Sequence, residues 1–167
     1  MKIIQFSLSC LFTVLTMVSV NVYAVCPVGS NDDHLTIHRV MQNFGRFTLA
    51  ADSISLRSAN PNETITDQQL NTAIENLGSA IDCAQAVLNN PAGDLLPDHA
   101  SALSGDELKE YISDFVYFMN DFHDGLIEYR TLFQNILAKK PQERDFQPIR
   151  DKCKELDDLV EHAHHKV

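Results

Sequence analysis

The feature that most narrows the fold is one apolar stripe running from Leu108 to Ile136. Leu108, Tyr111, Phe115, Phe118, Phe122 and Leu126, followed by Tyr129, Leu132, Phe133 and Ile136, recur at steps of three and four. That period places them along one side of an α-helix and cannot be laid out as the in-out alternation of a strand. Unbroken, such a helix spans roughly 50 Å. It is expected either to overhang its neighbours or to break near Gly125. Ser104 with Glu107 three residues later forms a capping box at its start, and Lys139-Lys140-Pro141 closes it.

Three further segments carry the same period. The first runs from about Asp33 to Leu56, with Ile37, Met41, Phe44, Thr48 and Ala51 on its apolar face. Asn60-Pro61-Asn62 ends it. A second capping box, Thr66 with Gln69, opens the second segment, which continues through Leu70, Ile74, Leu77, Ile81 and Leu88 to Asn89-Asn90-Pro91. The fourth starts between Pro141 and Pro148 and carries Ile149, Cys153, Leu156, Val160, Ala163 and Val167 on one stripe. No segment alternates as a strand does. The expected fold is therefore all-α, an up-down-up-down antiparallel four-helix bundle over residues 25–167.

Residues 1–24 read separately. Lys2, the apolar run from Ile3 to Val20 and a Val-Tyr-Ala exit ending at Ala24 have the layout of a secretory signal peptide cleaved after Ala24. A periplasmic address follows from that reading. The chain carries a net charge of −10, one unit lower still once Lys2 departs with the leader. Such an acidic surface argues against nucleic acid or an anionic membrane as a partner. Export leaves Cys26, Cys83 and Cys153, an odd number in an oxidising compartment. Cys153 belongs to an apolar stripe and reads as a small buried hydrophobe. Cys83 is placed off the apolar face of its own helix, where an N-terminal arm could reach it, and a Cys26–Cys83 bridge is the pairing favoured. No CxxC occurs, so neither a thioredoxin-type redox pair nor covalent haem attachment is encoded.

The proposed topology brings the start of the first helix and the finish of the fourth to one end. Met41 lies about two turns into the former and His164 in the last turn of the latter. Tyr111 and Phe115, together with the chain around Pro91, arrive at the same end. A methionine on an apolar stripe is ordinarily core filler, and a histidine at a stripe edge is ordinarily a boundary residue. Side by side, the two form a soft thioether–imidazole pair beside an aromatic wall.

In the strings Met41–Ser53, Ala73–Pro91, Glu107–Leu126 and Leu156–Val167, in that order, the chain resembles the cytochrome b562 family of soluble periplasmic haem proteins. The resemblance spans roughly residues 33–167. It implies one non-covalent haem b per chain with Met41 and His164 as axial ligands. It also implies a pocket drawn from Phe44, Thr48, Pro91, Tyr111, Phe115, Val160 and Ala163. Electron transfer to a redox partner protein, by a monomer with no catalytic residues, follows from the same likeness. Val160 stands where the family carries an arginine, the chain ends at Val167 without a second one, and the connection between the third and fourth helices is longer. Two other classes stay open. One is a divalent-metal binder using His162, His164 and His165, and the other is a helical interaction or haem-sensing module.

Overall fold

In the computed structural model, residues 37–89 and 103–166 are described, with side chains over residues 44–89 and 103–163. Four helices account for most of them: α1, Ile37–Arg57; α2, Asp67–Asn89; α3, Gly105–Leu137; and α4, Gln147–Lys166. No strand occurs among the described residues. The expected leader and the chain around Pro91 lie outside them. No helix among the described residues is long and apolar enough to cross a membrane.

Local signals fix the helix starts. The amide of Gln69 donates to Thr66 Oγ1 at 3.3 Å while the amide of Thr66 donates to Gln69 Oε1 at 2.9 Å. Two donors otherwise left unpaired at the start of α2 are thereby satisfied. At α3 the amide of Ser104 donates to Glu107 Oε2 at 2.8 Å, and these bonds hold the Glu107 carboxyl below its ordinary pKa. For α4, Asp145 Oδ1 accepts from the amide of Gln147 at 2.9 Å. Pro148 then occupies the first turn, where its missing N–H costs nothing. Thr66→Ala is expected to destabilise the fold by about 1 kcal/mol, measured as a fall in urea midpoint with unchanged slope.

The long third helix does not break. It runs continuously for 33 residues. Gly125 serves close packing instead: a Cβ at this position would lie 2.6 Å from Leu156 Cδ2 of α4. Nor does the far end of α3 overhang as a bare helix, because Tyr129, Phe133 and Ile136 are buried in one core with Leu70, Ile65 and Ile149. That end is tied by charge as well. Arg144, in the α3–α4 connection, has its side chain almost wholly covered and reaches Asp67 Oδ1 at 2.6 Å. Arg150 Nη1 donates to Ser58 O and Ser58 Oγ, each at 3.1 Å, which joins the start of α4 to the end of α1.

Each helix packs on the next, α2 against α3 most extensively, and α4 returns to α1 through the sparsest of these contacts. One expectation is corrected here. Cys83 is not off the apolar face but buried in the core, 3% exposed. Because α2 packs on both α1 and α3, its covered arc is wider than a single stripe and takes in Cys83 beside Ala80, Ala84 and Val87. Cys83 is disulfide-bonded, its partner lying outside the described residues, whereas Cys153 is a free thiol.

Candidate functional site

The sparse α1–α4 contact leaves a groove of about 440 Å³, within the size range of small-molecule sites. Its walls come from two matching rows. Along α1 run Gly45, Thr48 and Asp52; along α4 run Val160, Asp157 and Cys153. Spacings of three and four keep each row on one face of its helix. The two rows run in opposite directions, with Asp52 against Cys153 at one end and Gly45 level with Val160 and Glu161 at the other. Phe44, Phe122 and Leu156 supply the apolar floor, Phe44 standing edge-on to Phe122 with ring centroids 5.0 Å apart.

At the inner end, Cys153 Sγ donates to Asp52 Oδ1 at 3.6 Å. Burial raises the pKa of the Asp52 carboxyl, with hydrogen bonds from Thr48 and Cys153 drawing it partly back and the nearby Asp157 charge adding to the rise. Burial likewise lifts the Cys153 thiol. The Tyr129 hydroxyl sits behind this pair, fully buried, pushed far up by desolvation and by the neighbouring Cys153 and Asp52, and it closes no hydrogen bond of normal geometry. Among the described residues, all the titratable groups at this end are acids.

A carboxyl whose pKa is raised on folding binds its proton more tightly in the folded chain than in the unfolded one. Its stabilising contribution is therefore complete below the unfolded pKa of 3.8 and is lost as pH rises through the raised folded value. Asp52→Asn, which keeps the shape and removes the charge, is expected to raise the melting temperature at pH 7 and to flatten its fall between pH 4 and 7.

The residues expected to hold a cofactor are divided by the structure. Phe44, Thr48 and Val160 come together on the groove. Ala163 faces the other way, lining a separate cavity of about 200 Å³ between α3 and α4 with Asp114, Phe118, Leu159 and His162. Phe115 is buried in the core. Tyr111, its hydroxyl pushed up to about 12 by burial, lines neither cavity. Met41 lies in α1 and His164 in α4, but their side chains, with Pro91 and Cys26, fall outside the described residues. Among the described residues no three His, Cys, Asp or Glu side chains are grouped to hold a metal ion.

Sequence reasoning missed Gly45, Asp52, Asp157 and Tyr129 as site residues. For the first three the available signal was the three-and-four spacing on α1 and on α4, which becomes visible only when the two helices are read against each other; Tyr129 lies on α3 and shares neither row. Comparison with protein-family models, with curated proteins and with solved structures gives no match to this chain.

Proposed function

We propose that this chain is a periplasmic electron carrier, an up-down-up-down four-helix bundle that binds one haem b between Met41 and His164. The observation that carries the reading is the register of α1 against α4. From Asp52 back to Met41 is eleven residues, and from Cys153 on to His164 is also eleven. Eleven residues make about three turns, so each step returns to the same face and advances about 16 Å along its helix. Asp52 and Cys153 are in contact. Continuing the two facing rows by one further step each, at the same spacing, therefore reaches Met41 on one side and His164 on the other.

The groove below those positions suits the inner edge of a flat apolar ring. Phe44 and Val160 offer apolar walls, and a Cβ on Gly45 would meet nothing within 4 Å. A glycine inside a helix costs about 1 kcal/mol relative to alanine, and no neighbouring side chain crowds this one. Close approach of a bound group accounts for it. Asp157 and Glu161 on the rim repel carboxylates, so neither would hold a haem propionate. When bound, haem supplies a one-electron ferric–ferrous couple. Met41 and His164 would close both axial positions, and the thioether favours the ferrous state. A Cys26–Cys83 bridge, consistent with the bonded state of Cys83, would pin the N-terminal arm to α2.

The test is a pyridine haemochrome assay on protein exported into a periplasm, with one haem per chain expected. Gly45→Leu, which fills the open space beside the ring, is expected to cut haem occupancy at least tenfold while leaving the melting temperature of the haem-free chain unchanged or higher. Full occupancy in that variant would remove the groove from the binding site.

A further inference from the structure

We propose that the face where α3 meets α4, centred on Tyr117, is the docking surface for a basic partner protein. The partner sets one apolar side chain into the cavity there and places lysines or arginines on either side of it. That cavity, of about 200 Å³, has an apolar floor of Phe118, Leu159 and Ala163. Tyr117 stands at its edge, 72% exposed, and is the one aromatic among the exposed large apolar side chains of the described residues. The space lies below the size range of small-molecule and cofactor sites, but it takes a single side chain the size of leucine. An exposed tyrosine beside an apolar recess is the kind of group that anchors protein interfaces, because its ring buries a large area while few torsions are frozen.

Charge selects the occupant. Tyr117 belongs to a row on α3 formed by Glu110, Asp114, Tyr117, Asp121, Asp124 and Glu128, every one of them exposed. Steps of four and three hold the row on one face of the helix, and each member except the tyrosine is an acid. Asp124 has His123 beside it, and Glu128 is paired with Lys152 of α4. Glu110, Asp114 and Asp121 have no cation against them among the described residues, and the last two line the cavity itself. Like charges one turn apart weaken a helix, as Glu110 with Asp114 and Asp121 with Asp124 do here. A basic surface laid along the row relieves that repulsion while the cavity receives the apolar side chain. A second copy of this chain would instead bring the same acids against themselves across a two-fold axis. Nucleic acid and anionic membranes are repelled by the same row.

Docking here needs no haem, so it is tested on the haem-free chain. In the loaded carrier proposed above, the partner would sit beside the last turns of α4, which carry His164. Three short helical peptides serve as probes: one with lysines at steps of three and four around a central leucine, one with glutamates in place of the lysines, and one with serine in place of the leucine. Each is titrated into the full exported chain at pH 7 and low salt and followed by amide chemical shifts. The lysine–leucine peptide is expected to bind saturably, with the largest shifts at Asp114, Tyr117, Asp121, Leu159 and His162, and to weaken severalfold at high salt. The serine peptide should bind about tenfold more weakly, and the glutamate peptide not at all. Tyr117→Ser, and Asp114→Asn combined with Asp121→Asn, change only exposed side chains, so the fold is retained. Each should weaken the lysine–leucine peptide by roughly fivefold or more. Equal binding of the leucine and serine peptides, or binding untouched by Tyr117→Ser, would reduce the face to general charge attraction and overturns the proposal. So does an absence of binding, or shifts centred on Asp145, Asp151 and Asp158 instead.

Discussion

Replacing His164 by alanine is expected to lower haem affinity by about two orders of magnitude, roughly 2.8 kcal/mol, with the remaining complex high-spin. Met41→Ala should retain more of the haem but open the sixth coordination position. The ferric spectrum then becomes high-spin at neutral pH, and the reduction potential falls because the thioether that favoured the ferrous state is gone. The asymmetry follows from ligand chemistry: imidazole binds both iron oxidation states well, whereas a thioether is a weak ligand to ferric iron. Optical titration of each variant with haemin, oxidised and reduced, separates these outcomes. Equal loss in both variants would assign the two residues a common structural role. No loss in either would place the haem elsewhere.

The second large effect lies at the opposite end of the molecule. Phe133 is completely buried, edge-on to Tyr129 with ring centroids 5.2 Å apart. Phe133→Ala is expected to cost about 3–5 kcal/mol, from lost burial plus the cavity left behind. Domains of this size are stable by only about 5–15 kcal/mol, so the melting temperature should fall by roughly 10–20 °C. Thermal denaturation followed by helical circular dichroism measures it. A fall of only a few degrees would mean that α3 repacks over the gap, and the continuous long helix would not be the spine of the core.

Much of the fold was legible in the sequence because its signals are local. The capping boxes at Thr66 and Ser104 satisfy backbone donors within three residues, and both form as written. The stripe from Phe115 to Ile136 is buried along its length for the same reason: its period is a property of one helix alone. What failed to show depends on two helices at once. Cys83 was assigned to an outer face because a single wheel assumes one packing neighbour, and α2 has two. Gly125 read as a break because its contact is with Leu156, far along the chain.

The groove was hidden by the same kind of separation. Asp52 looks like an ordinary polar residue beside an apolar stripe until Cys153, 101 positions away, is set against it. Met41 and His164 were singled out for their chemistry and their nearness to two helix ends. The facing rows now give a register argument that composition and wheel position did not contain. Their matched spacing, rather than either residue type, is what favours a shared ligand.

The most direct test is the near-infrared magnetic circular dichroism of the ferric chain loaded with one equivalent of haem. Sulfur ligation opposite an imidazole gives low-spin iron with a thioether-to-iron charge-transfer band, and the account predicts that band in the native chain and its disappearance in Met41→Ala. A low-spin spectrum without it, unchanged by that substitution, would contradict a ring gripped between α1 and α4.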